Sequence, residues 1–400
     1  MGLNDVVSAE QLHIGFFGMC NAGKSSLVNA VTGQQLSVVS EVRGTTTDPV
    51  KKAMELLPLG PVVILDTPGL DDESELGKLR VERAERMLAQ TDIAVLVADG
   101  TQGLRGEDER LLEQLDARKI PYIIAFSKAD RVTKRGAAGE NALYVSAVTG
   151  EGIFELKERL GAFAKRLQNP KSLVRDLLAA GDVVVLVTPI DEAAPKGRLI
   201  LPQQMVLRDV LDANAIAVVC QDTELQRTLD SLKNKPRMVI TDSQAFESVA
   251  RCTPADVPLT SFSILMARYK GDLRELVKGF AALRTLRDGD RVLISEGCTH
   301  HRQCNDIGTV KMPGWIERFT GVKPAYSFTS GGEFPKELKD CRVIVHCGGC
   351  MLNEAEMKHR IRQAMDSNVP IVNYGIAIAG MHGILRRSLE LFPDILRLLD

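Results

Sequence analysis

Aromatic residues are scarce in this chain: 4% of 400 residues, with a single Trp. Little is left with which to stack unpaired bases, so a single-stranded nucleic-acid platform is not expected. An excess of either charge is missing too. Lys and Arg number 50 against 52 Asp and Glu, a formal net charge of −2, and no long basic block occurs. The footprint of a general nucleic-acid binder is therefore absent. The longest apolar runs, such as Val183–Val187, fall far short of the ~18 residues a membrane span needs. The N-terminal MGLNDVVSAEQ has neither the basic start nor the apolar stretch of a signal peptide. A cytoplasmic protein without membrane or nucleic-acid partners is expected. Eight cysteines are too few for a disulfide scaffold.

What is present reads as a soluble globular protein, 44% apolar and 26% charged, long enough for two or three domains. Up to about residue 165 strand-like and helix-like patterns alternate, the rhythm of a mostly parallel sheet covered by helices. Strands are expected at His13–Met19, Val62–Asp66, Ile93–Ala98, Tyr122–Phe126 and Leu143–Ser146, and helices at Ser25–Thr32, Lys78–Gln90, Glu107–Arg118 and Gly152–Leu167. A polar linker, Gln168–Ser172, leads to a second unit with buried strands at Val183–Thr188, Ile216–Cys220 and Met238–Thr241. Cys252–Pro258 reads as the next boundary. Beyond it come a helix at Asp272–Leu286 and strands at Val292–Ser295, Val343–His346 and Ile371–Tyr374. The fold class is α/β in three domains, residues 1–168, 172–258 and 262–400, each with a parallel sheet.

Gly18-Met19-Cys20-Asn21-Ala22-Gly23-Lys24-Ser25 matches the P-loop pattern, behind an apolar strand and ahead of a helix, the context the motif requires. Its glycines let backbone N–H groups face phosphate oxygens at a helix N-terminus. Lys24 would reach the β- and γ-phosphates and Ser25, followed by Ser26, would ligate Mg2+. Asp66-Thr67-Pro68-Gly69 places a carboxylate at the carboxyl end of a strand, where Asp66 would hold Mg2+ through water and the Gly69 N–H would meet the γ-phosphate. Between them Arg43–Asp48 is a hydroxyl-rich loop, with Thr46 the expected Mg2+ ligand and Thr45 and Thr47 its neighbours. Ser127-Lys128-Ala129-Asp130 supplies base choice. The Asp130 carboxylate pairs with the N1 and N2 donors of guanine, and an adenine would leave it unpaired. Lys128 would lie along the base, and Ser146-Ala147 would offer a backbone N–H to the guanine O6.

These loops resemble the Era and TrmE group of translation-factor-like GTPases, over roughly residues 10–165. GTP and GDP are the implied ligands and slow hydrolysis the implied activity. Ser127 stands where that group has Asn, which predicts loss of the tie back to the P-loop and a weaker grip on the base. Leu70 follows Gly69, so no Gln is placed to orient water. Asn21 occupies the position at which some members hold a potassium ion, and K+-stimulated turnover is expected, with Lys24, Asn21, Thr46 and Gly69 as the catalytic groups.

Five of the eight cysteines fall between residues 298 and 350, and four of the six histidines lie there or nearby: His300, His301, His346 and His359. Glu296-Gly297-Cys298-Thr299-His300 and His346-Cys347-Gly348-Gly349-Cys350 each follow an apolar strand, and ligands of parallel sheets bind outside the carboxyl ends of strands. Cys298, Cys347 and Cys350 would share one rim. Three thiolates suit an iron–sulfur cluster with a fourth ligand from Glu296, His300, His346 or water, or else zinc completed by a histidine. Cys304 and Cys341 are spare thiols. Cys20, Cys220 and Cys252 read as small buried apolar residues.

A P-loop domain followed by a C-x-H and an H-C-x-x-C cluster resembles the [FeFe]-hydrogenase maturation GTPase (HydF) family over nearly the whole chain. The resemblance implies a [4Fe-4S] cluster on Cys298, Cys347 and Cys350 and a homodimer through the middle domain. It also implies a scaffold that carries a diiron precursor, with two radical-SAM maturases and the apo-hydrogenase as partners. The alternative is an RNA- or ribosome-associated GTPase of the Era/TrmE type whose cysteines bind structural zinc; low basic charge and few aromatics count against it.

Overall fold

The computed structural model describes residues 10–34, 50–67, 84–136, 139–167, 171–190, 199–297 and 306–400. The chain divides into two compact units, Met1–Pro170 and Lys171–Asp400.

In the first unit the elements run β1 (Leu12–Phe17), α1 (Lys24–Thr32), β2 (Val50–Leu56), β3 (Gly60–Asp66), β4 (Ile93–Asp99), α2 (Gly106–Arg118), β5 (Tyr122–Ser127), β6 (Ala142–Tyr144) and α3 (Ile153–Leu167). They build a six-stranded sheet in the order β2-β3-β1-β4-β5-β6. Only β2 is antiparallel. The apolar run of β4 is buried from Ile93 to Ala98, as a central strand covered on both faces must be. One core layer joins Phe16, Leu27, Val28, Leu156 and Leu160; the other joins Phe17, Leu88, Leu111 and Leu115. In α3 the buried Ile153, Leu156, Leu160 and Ala164 recur at helical spacing, each large apolar side chain contributing about 1.5–3 kcal/mol. The sequence pattern does not reveal β2: Lys51, Lys52 and Glu55 break its alternation, as suits a solvent-exposed edge.

The second unit holds two four-stranded parallel sheets over one continuous apolar core. The first, ordered β10-β9-β7-β8, comprises β7 (Val183–Val187), β8 (Ile216–Cys220), β9 (Met238–Thr241) and β10 (Leu259–Ser261), with helices α4 (Leu201–Asp212), α5 (Leu225–Ser231) and α6 (Phe246–Cys252) between them. Helices α7 (Phe262–Lys270) and α8 (Leu273–Leu283) lead to the second, ordered β12-β11-β13-β14. Its strands are β11 (Arg291–Ser295), β12 (Ala325–Thr329), β13 (Val343–His346) and β14 (Ile371–Asn373), with α9 (Met312–Thr320), α10 (Glu354–Asp366) and α11 (Tyr374–Met381). Gly279 of α8 crosses β14 so closely that a Cβ there would lie 2.0 Å from the Ile371 carbonyl oxygen.

Several expectations are corrected. The strand Ile216–Cys220 is not buried: β8 is an edge, with Ile216 53% and Val219 44% exposed. Strand β10 begins immediately after the segment read as a boundary, and β12 is an edge strand whose AYSFT sequence carries only a weak alternation. Cys20, Cys220 and Cys252 are half-buried rather than buried. The helix expected at Lys78–Gln90, by contrast, agrees with the structure over its described part, which is helical through residues 84–89.

Candidate functional site

Strand register assembles the first site. Phe16 of β1 lies opposite Asp66 of β3, and Asp99 of β4 opposite Ser127 of β5, so the loops leaving these strands meet at one edge. The P-loop takes the backbone its glycines and Asn21 permit: φ is 146° at Gly18, 60° at Asn21 and 92° at Gly23, the N-cap of α1. A Cβ on Gly18 would also strike the Val97 carbonyl at 2.2 Å. The Lys24 ammonium is buried and donates to the Gly18 and Met19 carbonyls of the loop at 2.8 and 2.7 Å. The Ser25 hydroxyl lies 3.4 Å from Asp66 Oδ2, joining the two expected Mg2+ ligands; Ser26 follows, half-buried, on α1. Thr67 anchors the end of β3 by donating its hydroxyl to the Phe16 carbonyl at 2.7 Å. Thr45, Thr46, Thr47 and Gly69 lie outside the described residues.

At the base-binding end, the buried Ser146 hydroxyl donates to Asp130 Oδ1 at 2.6 Å and receives the Val148 and Thr149 amides. The two loops expected to meet guanine are thus tied together, with Ala147 next in line. This hydrogen bond holds the Asp130 carboxyl below its ordinary range. Ser127 corrects the expectation of a lost tie. Its buried hydroxyl reaches back to the Ala22 carbonyl of the P-loop, with the Ala98 carbonyl 3.1 Å away. Lys128 was expected along the base; here its ammonium is 2.6 Å from Asp99 Oδ2, with φ 55° at its own Cα. Burial pushes the Asp99 carboxyl upward, but the hydrogen bonds from Lys128 and Thr101 outweigh it and the net direction is down. Asp99 escaped sequence reasoning although its place at the carboxyl end of β4 marks it. Met19, Asn21, Asp99, Asp108 and Lys128 line a cavity of about 170 Å3 beside the P-loop.

The second site forms by the same rule in the Lys171–Asp400 unit. Ser295 pairs with His346, and His346 with Asn373, so Glu296-Gly297, the Cys347–Cys350 turn and Tyr374 emerge together. The Cys347 sulfur receives the Gly297 amide at 3.0 Å and the Gly349 amide at 3.4 Å. Gly349 makes the turn with φ 65°, a conformation that favours glycine. Burial pushes the Cys347 thiol up to about 11 and raises Cys350 as well, where the Lys270 charge works in the opposite direction. Two amides aimed at one sulfur are the hydrogen bonds a metal-bound thiolate accepts, and burial without a cation disfavours that thiolate, so the pair fits a metal centre. Cys298, His300, His301 and Cys304 lie outside the described residues. Among the described residues no group of three or more His, Cys, Asp or Glu ligands is assembled.

His346 is corrected as a candidate fourth ligand. Its ring is fully buried, with Nδ1–H donating to the Cys347 carbonyl at 2.7 Å and Nε2 accepting from Arg360 at 3.1 Å. Burial, then the Arg360 charge, push its pKa down to about 3, so it stays neutral with both nitrogens engaged. Cys341 sits before β13, at the opposite end of the strand from Cys347, about 20 Å away along extended chain. Glu296 remains at the rim, buried, with Tyr374 donating to its Oε1 at 3.3 Å. Sequence reasoning missed Arg360, Lys270 and Tyr374. Arg360 is buried and bonds Glu356, the Gly331 carbonyl and His346; nothing local marks an arginine on α10 as internal.

Comparison with known proteins follows the same division. A model described as 50S ribosome-binding GTPase matches residues 13–128. Models described as hydrogen maturase F dimerization domain and hydrogen maturase F tetramerization domain match residues 173–271 and 274–391. Among curated proteins, GTPase Der of Kosmotoga olearia is 32% identical over 191 residues, 42% of this chain and 43% of its own length. The tRNA modification GTPase MnmE of Legionella pneumophila is 36% identical over 157 residues, 38% of this chain and 34% of its own. The chain therefore spans less than half the length of these curated relatives. The two adjoining maturase matches run nearly without a break from residue 173 to 391, behind a GTPase domain, and on them the chain belongs to the hydrogen maturase F family.

Proposed function

We propose that this chain is a GTP-binding and GTP-hydrolysing scaffold for metallocluster assembly in hydrogenase maturation. The observation that carries the reading is the convergence of two strand-edge sites on one chain: the P-loop edge with Lys24, Ser25, Asp66, Ser127 and Asp130, and the Cys347–Cys350 turn with two amides on one sulfur. Gly18, Asn21, Ala22, Gly23, Lys24 and Ser25 would hold the phosphates and Mg2+ with Thr46, while Asp130, Lys128, Ser146 and Ala147 would read guanine. Turnover would be slow and stimulated by K+ at Asn21.

Cys347 and Cys350, with Cys298 as third thiolate, would hold a [4Fe-4S] cluster, and Glu296 or His300 would stand at its fourth position. Such a cluster supplies an iron corner able to bind an exchangeable anionic ligand. The chain's own residues screen that corner: Tyr374 fixes the Glu296 carboxylate, and the Gly297 and Gly349 amides stabilise negative charge on the Cys347 sulfur. The regions 1–168, 172–258 and 262–400 would serve nucleotide binding, dimerisation and cluster binding, and the exposed apolar edge of β8 suits a homodimer. The cargo would be the diiron precursor, received from radical-SAM maturases and delivered to apo-hydrogenase in the cytoplasm.

Anaerobic reconstitution of the full chain with iron and sulfide, read by EPR after reduction, tests the cluster assignment. A [4Fe-4S] signal lost on Cys347→Ser, Cys350→Ser or Cys298→Ser is expected. Stoichiometric zinc with no iron uptake would overturn it. Loss of GTP turnover on Lys24→Ala, and faster turnover in potassium than in sodium buffer, are expected of the nucleotide site.

A further inference from the structure

The Cys347–Cys350 turn is gripped from beneath by a residue distant in sequence. Lys270 is the last residue of α7, in the segment matched by the dimerization-domain model, and its side chain is 2% exposed. Its ammonium donates to the Cys350 carbonyl at 3.2 Å and to the Leu352 carbonyl at 2.9 Å. These carbonyls flank the point where the turn runs on toward α10, so Lys270 pins the outgoing limb. The incoming limb is pinned separately, by Arg360 through His346 to the Cys347 carbonyl. A buried ammonium is costly unless its donors are satisfied, and here two of its three N–H bonds go to the backbone of the turn. A lysine adds something that a neutral donor would not: a fixed positive charge inside the protein, against a turn that carries two thiols.

We propose that Lys270 is a positioning residue for the metal centre on Cys347 and Cys350, setting the Cys350 limb of the turn and placing a positive charge beside the bound cluster. The dimerization segment thereby helps decide how firmly the cluster is held and how readily it accepts an electron. The proposal rests on the cluster reading above. A cluster ligated by three thiolates carries net negative charge, so a nearby fixed cation stabilises it and favours the reduced over the oxidised form.

The test uses the full chain, reconstituted anaerobically with iron and sulfide, as wild type, Lys270→Met and Lys270→Gln. Iron per chain, the rate of iron loss to a ferrous chelator, and the midpoint potential from an EPR-monitored titration are measured. Lys270→Met removes both donors and charge; iron loss about tenfold faster and a more negative potential are expected, a tenfold factor being typical of one lost charged hydrogen bond. Lys270→Gln keeps amide donors without charge; iron loss near the wild-type rate but a more negative potential is expected. Thermal unfolding of the same preparations followed by circular dichroism, which includes the Lys171–Asp400 unit that holds Lys270, serves as the folding check, and Lys270→Gln stands in should Lys270→Met fail it. A wild type that takes up no cluster overturns the cluster reading and this inference with it. A loaded wild type whose potential is matched by Lys270→Gln overturns this inference alone, as does an iron-loss rate unchanged in a folded Lys270→Met.

Discussion

Ser127→Ala separates a serine that merely fills space from one that shapes the nucleotide site. The buried hydroxyl has one proton, directed at the Ala22 carbonyl within the P-loop, with the Ala98 carbonyl as its second neighbour. Removing it forfeits a hydrogen bond worth about 0.5–1.5 kcal/mol net and leaves a buried carbonyl poorly satisfied, a further cost of order 1 kcal/mol. The stability of the Met1–Pro170 unit is therefore expected to fall by about 1.5–2.5 kcal/mol. Only the part that holds the loop in its phosphate-binding shape enters the affinity, because the rest is lost equally with and without nucleotide. That part is about 1 kcal/mol, or roughly fivefold in Kd. GTP and GDP should weaken by the same factor, since the loop faces phosphates common to both. The preference for guanine should not change, because Ser146 still holds Asp130. Titration of both nucleotides by fluorescence, beside denaturant unfolding, gives the two numbers. Lower stability with both affinities unchanged would refute the argument, and so would a loss confined to GTP.

Asp130→Asn replaces a guanine acceptor with a mixed donor and acceptor, and GTP affinity should fall by about a hundredfold or more, while xanthine nucleotides, with a carbonyl at position 2, gain; competition binding measures both. Gly279→Ala drives a methyl into the Ile371 carbonyl, 2.0 Å away, and should destabilise the Lys171–Asp400 unit by about 2–3 kcal/mol, seen as a lower melting temperature. Arg360→Leu strands the Glu356 carboxylate and the His346 Nε2 in the core and should cost about 3–5 kcal/mol, read by denaturant unfolding. The Arg268 hydrogen bonds hold the Asp176 carboxyl below its ordinary range, so that pair contributes stability above the unfolded carboxyl pKa and loses it as pH falls through the lower folded value. Asp176→Asn should therefore be slightly less stable than wild type at neutral pH, by about 1 kcal/mol or less for so exposed a pair, and the two should converge in acid.

Much of the architecture was legible because apolar runs and turn residues sit where physics puts them. Ile216–Cys220 and Met238–Thr241 read as strands with their observed bounds, and α1, α2 and α3 follow helical spacing to within a residue or two. Exposure was harder. Ile216–Cys220 is as apolar as a central strand, and only its place at the end of β10-β9-β7-β8 makes it an edge. The charged β2 and the short β10 carry too little alternation to stand out.

In the two sites, the chain's local pattern settled where each functional residue leaves its strand. Gly18, Gly23 and Gly349 adopt backbone angles that few other residues would, so the P-loop and the Cys-Gly-Gly-Cys turn are written into the residues themselves. Where the side chains point was decided by packing between distant segments. His346 beside two cysteines reads as a metal ligand, yet Arg360 and the Cys347 carbonyl take both its nitrogens. Ser127 reads as a weakened Asn, yet β5 sets its hydroxyl on a carbonyl 105 residues away. Lys270, in a helix that no motif marks, closes on the carbonyl of Cys350. A local motif carries backbone geometry; a hydrogen bond across many residues exists only once the sheets have set their registers.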